Sequence, residues 1–176
     1  VPGKDLGFAL SGANIIVKGH GQNAIGNTMD DGKIVVHGLA GDAIAYGMRG
    51  GKIFIRDDVG YRVGIHMKSY QDKSPSVVIG GTAGDFLGEY IAGGTIVMLN
   101  TRNLHENVVG KAEKTLATGI HGGEIYIFNS NVEKWQLGIG ASVMIPDNED
   151  MEKIYPLIEE FGIEFGYDAK KLVDRK

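Results

Sequence analysis

Gly38–Val59 reads GLAGDAIAYGMRGGKIFIRDDV. A second stretch, Gly81–Asn100 (GTAGDFLGEYIAGGTIVMLN), repeats its frame of Gly-x-Ala-Gly-Asp followed by Gly-Gly-x-Ile. On either side of these, six apolar triplets serve as anchors: Ile15-Ile16-Val17, Ile34-Val35-Val36, Ile53-Phe54-Ile55, Val77-Val78-Ile79, Ile96-Val97-Met98 and Ile125-Tyr126-Ile127. Their first residues lie 19, 19, 24, 19 and 29 apart, a 19-residue period with insertions of 5 and 10. A fixed period of this length is the signature of stacked repeats.

Other positions keep the same register. Five residues before the triplet sits Met29, Met48, Ile91 or Ile120, and nine before sits Ile25, Ile44, Leu87 or Leu116. Fifteen before sits Gly19, Gly38, Gly81 or Gly110. Gly51, Gly94 and Gly123 close the Gly-Gly pairs that precede the triplets. These glycines are expected to be structural, since glycine enters left-handed corners without a Cβ penalty. Like residues at like positions build internal ladders in a parallel β-helix, whose turns stack at about 4.8 Å. The expected fold is therefore all-β: a single-stranded parallel β-helix of about 19-residue coils, followed by a short C-terminal helical segment. A β-sandwich with glycine-rich hairpins is the competing reading, but hairpins reverse the chain and would not hold six anchors in one register.

Composition sets bounds. Glycine supplies 28 of 176 residues, but periodically, so disorder is not implied. A formal net charge of −4 offers no electrostatic case for nucleic acid. The chain has no cysteine, which removes disulfides, thiolate ligands to zinc or iron–sulfur clusters, and a cysteine nucleophile. No apolar run is long enough to span a bilayer and no signal-peptide pattern opens the sequence, so a cytoplasmic setting is expected.

In chain order, Val1–Gly12 leads in, and coils run from Ala13 to about Phe128. Residues 129–146 suggest a last partial coil, with Trp135 as a packing residue at its end. From Asp147 the apolar spacing turns helical through Met151, Ile154, Tyr155, Ile158 and Phe161, with Gly162 expected to end the helix. A second short helix is expected over residues 168–174. The division is thus a β-helix domain, 1–146, and a helical cap or tail, 147–176, that covers the open end of the coils.

Catalytic patterns are sparse. Gly32-Lys33 and Gly51-Lys52 run into Ile rather than Ser or Thr and enter strands, so neither is a phosphate-binding loop. The five histidines fall at different repeat positions with no metal-ligand spacing. Asp42 and Asp85 share a repeat position two coils apart, about 9–10 Å, and are expected to bond local backbone rather than to act as a catalytic pair. The irregular pieces are the insertions Lys68–Ser76 and Asn100–Val109. In the second, Arg102, His105 and Glu106 are candidates for contact with a partner, because loops on a stiff scaffold often carry function.

The segments GDAIAYGMRGGKIFI, GTAGDFLGEYIAGGTIVML and TGIHGGEIYIF resemble the GXGXG repeats of the C-terminal domain of the glutamate synthase large subunit. The same repeat class occurs in one subunit of formylmethanofuran dehydrogenase. The tail MEKIYPLIEEFGIEFGYDAKKLVD is similar to the helical segment of stand-alone glutamate-synthase-like versions. The resemblance implies a right-handed β-helix that is non-catalytic by itself and braces separate glutaminase and FMN-dependent synthase partners. FMN and iron–sulfur clusters are then expected on those partners, with no catalytic, cofactor-binding or metal residue in this chain. Homo-oligomerisation is compatible with this. A formylmethanofuran-dehydrogenase-type scaffold and a self-contained enzyme with its site in a surface groove remain open.

Overall fold

A computed structural model describes residues 1–102 and 106–174. Its centre is one six-stranded sheet, all parallel, in the order β1 (Asn14–Val17), β2 (Lys33–Val36), β3 (Lys52–Ile55), β4 (Ser76–Ile79), β5 (Ala92–Met98) and β6 (Gly122–Ile127). The register follows the anchors: Ile15 faces Ile34, Ile34 faces Ile53, Ile53 faces Val77, Val77 faces Ile96 and Ile96 faces Ile125. The chain therefore advances by one strand per repeat and never reverses within the sheet, which disposes of the hairpin alternative.

The segments between strands are bonded repeat to repeat as well. Ala24 N–H donates to Asp42 O, Ala43 N–H to Tyr61 O and Arg62 N–H to Asp85 O, at 2.8, 2.8 and 3.0 Å. On the same segments Ala45 N–H donates to Ile25 O, Gly64 N–H to Ile44 O and Gly88 N–H to Val63 O, each at 2.8 Å. Loop backbone is thus satisfied by the neighbouring repeat rather than by water. Inside lies one apolar core of Ile25, Ile44, Val63 and Leu87, of Met29, Met48, Met67 and Ile91, and of the inward residues of each triplet.

The middle residues of the triplets point the other way and form a second core. Val35, Phe54, Val78, Val97 and Tyr126 are buried beneath α1 (Asn148–Phe165) and α2 (Ala169–Val173), against Ile154, Ile158, Phe161 and Leu172. The helices therefore lie across the outer face of the sheet and do not cap the end of the stack. The physical reason is that a strand reading apolar at three consecutive positions is buried on both faces. Ile16, the equivalent residue of β1, is left 53% exposed. The 18 residues of α1 span about 27 Å, enough to cross strands β2 to β6 at about 4.8 Å each.

Helix α1 opens on Asp147, whose carboxylate accepts Asp150 N–H at 3.0 Å while Asp150 accepts Asp147 N–H at 2.9 Å. Its end differs from expectation. Gly162 lies within the helix, and Gly166, at φ 77°, terminates it. Gly162 serves close packing instead: its carbonyl takes the N–H of Gly166 and Tyr167, and a Cβ there would meet Tyr167 O at 2.6 Å. Asp168 caps α2 through Lys170 N–H at 3.0 Å.

Candidate functional site

Four glycines each meet a side-chain oxygen of the preceding repeat. Asn23 Oδ1 accepts Asp42 N–H at 3.0 Å, Asp42 Oδ1 accepts Tyr61 N–H at 2.9 Å, Asp58 Oδ1 accepts Thr82 N–H at 2.8 Å and Asp85 Oδ1 accepts Ala112 N–H at 2.8 Å. Each oxygen lies over a glycine of the next repeat: Gly41, Gly60, Gly81 and Gly110 respectively, where a Cβ would come under 3.0 Å. Asp42 and Asp85 are thus committed to backbone. Of the other glycines, Gly38 lies against His20 Nδ1 and Gly19 O, and Gly51, Gly94 and Gly123 adopt φ of 80°, 91° and 81°. Gly19 has open space around it and demands no glycine on steric grounds.

The longer insertion is tied down at both sides. Arg102 Nη2 donates to Asp58 Oδ2 at 3.0 Å, and Asp58 also accepts the Thr82 hydroxyl at 3.1 Å. Burial pushes the Asp58 carboxyl up, but Thr82 and Arg102 outweigh it and hold it below the ordinary aspartate value. Glu106 is exposed, and its carbonyl accepts Asn131 N–H at 2.8 Å. His105 lies outside the described residues.

Gln136, which the periodicity gave no reason to single out, is fully buried. Its Oε1 accepts Asn107 Nδ2 and Glu133 N–H, both at 2.9 Å, and its Nε2 donates to Gly110 O at 2.8 Å. It locks the insertion to the 3-10 turn Lys134–Gln136. Trp135 beside it is 47% exposed, so it is only partly the packing residue expected.

A surface group also assembles from separate repeats. His66 stacks on Tyr90 with ring centroids 5.3 Å apart and planes 12° apart, and Tyr46 meets His66 edge-on at 6.0 Å. Arg62 lies 4.7 Å over the Phe86 ring and pairs with Glu89 at 2.6 Å. These aromatics look scattered in sequence and become neighbours only because repeats stack.

The helix–sheet seam carries a run of half-buried ion pairs. Lys33 Nζ reaches Glu164 at 2.6 Å and Glu160 at 3.3 Å, and Lys52 Nζ reaches Glu160 at 2.5 Å. At the other end, Tyr126 Oη donates to Asp150 Oδ1 at 2.7 Å and lies 3.0 Å from Glu124, which is paired with Lys153. Burial, then these carboxylates, raise the Tyr126 phenol well above its ordinary value. His37 packs edge-on against Phe165 at 5.0 Å, and burial, then Lys18 and Arg56, lower its pKa. Among the described residues no group of three or more His, Cys, Asp or Glu is placed to hold a metal ion. No described helix is long and apolar enough to cross a membrane.

The GXGXG family profile matches nearly the whole chain, residues 1–175. The chain belongs to the GXGXG motif family. It is also similar to uncharacterized protein MJ1350 of Methanocaldococcus jannaschii, 59% identical over 162 residues, which cover 92% of this chain and 61% of that protein. The chain thus spans about three-fifths of the length of the curated relative it matches. No solved structure matches it. In this GXGXG chain the motif has a physical reading at four positions: Gly41, Gly60, Gly81 and Gly110 make room for a side-chain oxygen from the repeat before.

Proposed function

We propose that this GXGXG chain is a right-handed, single-stranded parallel β-helix acting as a non-catalytic scaffold in a glutamate-synthase-like amidotransferase. It would brace a glutaminase and an FMN-dependent synthase that supply the chemistry, including any FMN and iron–sulfur clusters. The observation that carries this reading is the commitment of four polar side chains to backbone: Asn23, Asp42, Asp58 and Asp85 each bond the next repeat. An Asn or Asp side chain that accepts a backbone N–H of the next repeat serves the turn it joins. Two further features support it: family membership over nearly the whole chain, and an insertion held at Asp58 and Gln136 so that Arg102 and Glu106 sit on a stiff support. The absence of cysteine removes the usual iron–sulfur ligands and the amidotransferase nucleophile from this chain itself.

Affinity capture of the tagged chain from its native extract tests the reading. Recovery of a glutaminase together with a yellow, FMN-containing synthase is the expected result. Recovery of molybdopterin-containing and formyl-transferring subunits instead would assign the scaffold to formylmethanofuran dehydrogenase. Recovery of the chain as a bare homo-oligomer with a measurable activity of its own would overturn the scaffold role.

A further inference from the structure

The repeat continues past the last strand of the sheet. Leu137 forms a parallel bridge with Leu116. Leu116 N–H donates to Gln136 O at 2.9 Å, Gly138 N–H to Leu116 O at 2.7 Å and Gly119 N–H to Ile139 O at 2.9 Å. This is the ladder that joins earlier repeats, such as Ala117 N–H to Leu87 O at 2.8 Å. Gly140 then takes φ 89°, matching the 81° of Gly123 and 91° of Gly94 ahead of their triplets. An apolar triplet follows, Val143-Met144-Ile145, 18 residues after Ile125-Tyr126-Ile127.

That triplet is not used as the others are. Val143, Met144 and Ile145 are 64%, 83% and 92% exposed, whereas the triplets of β2 to β5 are buried. Beside it, β6 pairs only with β5 among the described residues. The inward residues Ile120, Ile125 and Ile127 are only partly covered. A cleft of about 690 Å³ separates the two, with β6 on one wall and Gly140–Met144 on the other. An unpaired sheet edge and an exposed apolar run are each unfavourable in water, and here they face one another on a short tether.

We infer that Ser142–Ile145 is a seventh strand held off the stack, which docks in parallel on the free edge of β6 and closes the end of the core. Val143 then lies opposite Ile125 and Ile145 opposite Ile127, both turned inward, with Met144 outward beside Tyr126. The seventh repeat has six residues from Leu137 to Val143 where the sixth has nine from Leu116 to Ile125, so it must cut the corner. Six extended residues reach up to about 20 Å, ample for that path. The tether gives the segment a high effective concentration over any other strand.

Cysteine pairs test this directly, because these 176 residues contain none. Glu124→Cys with Ser142→Cys places one thiol on β6 and one at the matching position of the segment. Thr95→Cys with Glu124→Cys, a register pair of β5 and β6, is the positive control. The docked strand predicts a disulfide within one molecule in both proteins on mild oxidation. A disulfide joining two molecules would replace docking within the chain by exchange with a second copy, and no disulfide in the first pair alone would overturn the inference. Independently, Val143→Asp and Ile145→Asp should each lower Tm by about 5 °C or more while Met144→Asp changes it little. Unchanged Tm for all three would also overturn it.

Discussion

Asp42 Oδ1 accepts the backbone N–H of Tyr61 at 2.9 Å, and the same oxygen occupies the space where a Cβ of residue 60 would be. One contact thus fixes two residue types, an acceptor in one repeat and a glycine in the next. Gly60→Ala should cost about 2–4 kcal/mol, because the oxygen or the backbone must move. Asp42→Ala should cost about 1 kcal/mol, one net hydrogen bond. In Asp42→Ala the Gly60→Ala change should become much cheaper. Denaturant unfolding of the four proteins measures that coupling, and additive costs would refute the shared-space explanation.

Phe161 is fully buried against Phe54 with ring centroids 6.2 Å apart, and against Phe165 at 4.7 Å. Phe161→Ala should cost about 3–5 kcal/mol. Limited proteolysis should then cut first within Asn148–Phe165, leaving the strands protected. Simultaneous loss of strands and helix would mean that the two cores unfold as one.

Burial disfavours charge on Glu160, but Lys52 and then Lys33 outweigh it, so its folded pKa lies below the ordinary 4.5. A depressed carboxyl pKa means that its contribution is fully present above the unfolded value and is lost as pH falls through the folded one. Lys33 behaves in the opposite sense. The Glu164 hydrogen bond raises its pKa above 10.5, with burial opposing and Glu160 assisting, so its contribution is lost only as pH rises through that raised value. Helix docking should therefore weaken below about pH 4.5 and at strongly alkaline pH. Because these groups are partly exposed, Glu160→Gln should cost no more than about 1 kcal/mol at neutral pH. It should also flatten the acid limb of a Tm-against-pH curve, and parallel acid limbs would exclude Glu160 as the cause.

Gln136 satisfies Asn107, Glu133 and Gly110 from inside the protein. Gln136→Leu keeps the bulk but leaves those groups unpaired, at a cost of about 2–3 kcal/mol. Hydrogen exchange should locate the loss in the Gly110 repeat and the 3-10 turn. An effect spread evenly over the chain would argue against a local lock.

Arg102 pairs with Asp58 at a partly exposed site, so Arg102→Ala should change stability by less than about 1 kcal/mol. If the insertion contacts a partner, Arg102→Ala and Glu106→Ala should weaken co-purification with the synthase while leaving Tm intact. Undiminished recovery would remove both residues from the interface.

The sheet was legible in the amino-acid order alone. Strand positions, their parallel order and their register follow from anchors 19 residues apart, because in a stack each residue's neighbour is its counterpart one repeat away. Both helices were legible too, since apolar spacing is a local matter, although α1 runs on to Gly166 rather than ending at Gly162. Where the helices go was not. Lys33 and Glu164 are 131 positions apart, and no period connects them. It took the folded chain to lay α1 on the outer face, where Phe54 and Phe161 meet, although the apolar middle residues of the triplets already required that face to be covered. The His66–Tyr90 stack does follow the repeat, one residue before Met67 and Ile91 of successive coils, but periodicity could not find Gln136, because its partners come from an insertion and a 3-10 turn that break the repeat. A repeating sequence encodes its own stacking; what packs against the stack is set by shape and charge over distances that the repeat does not record.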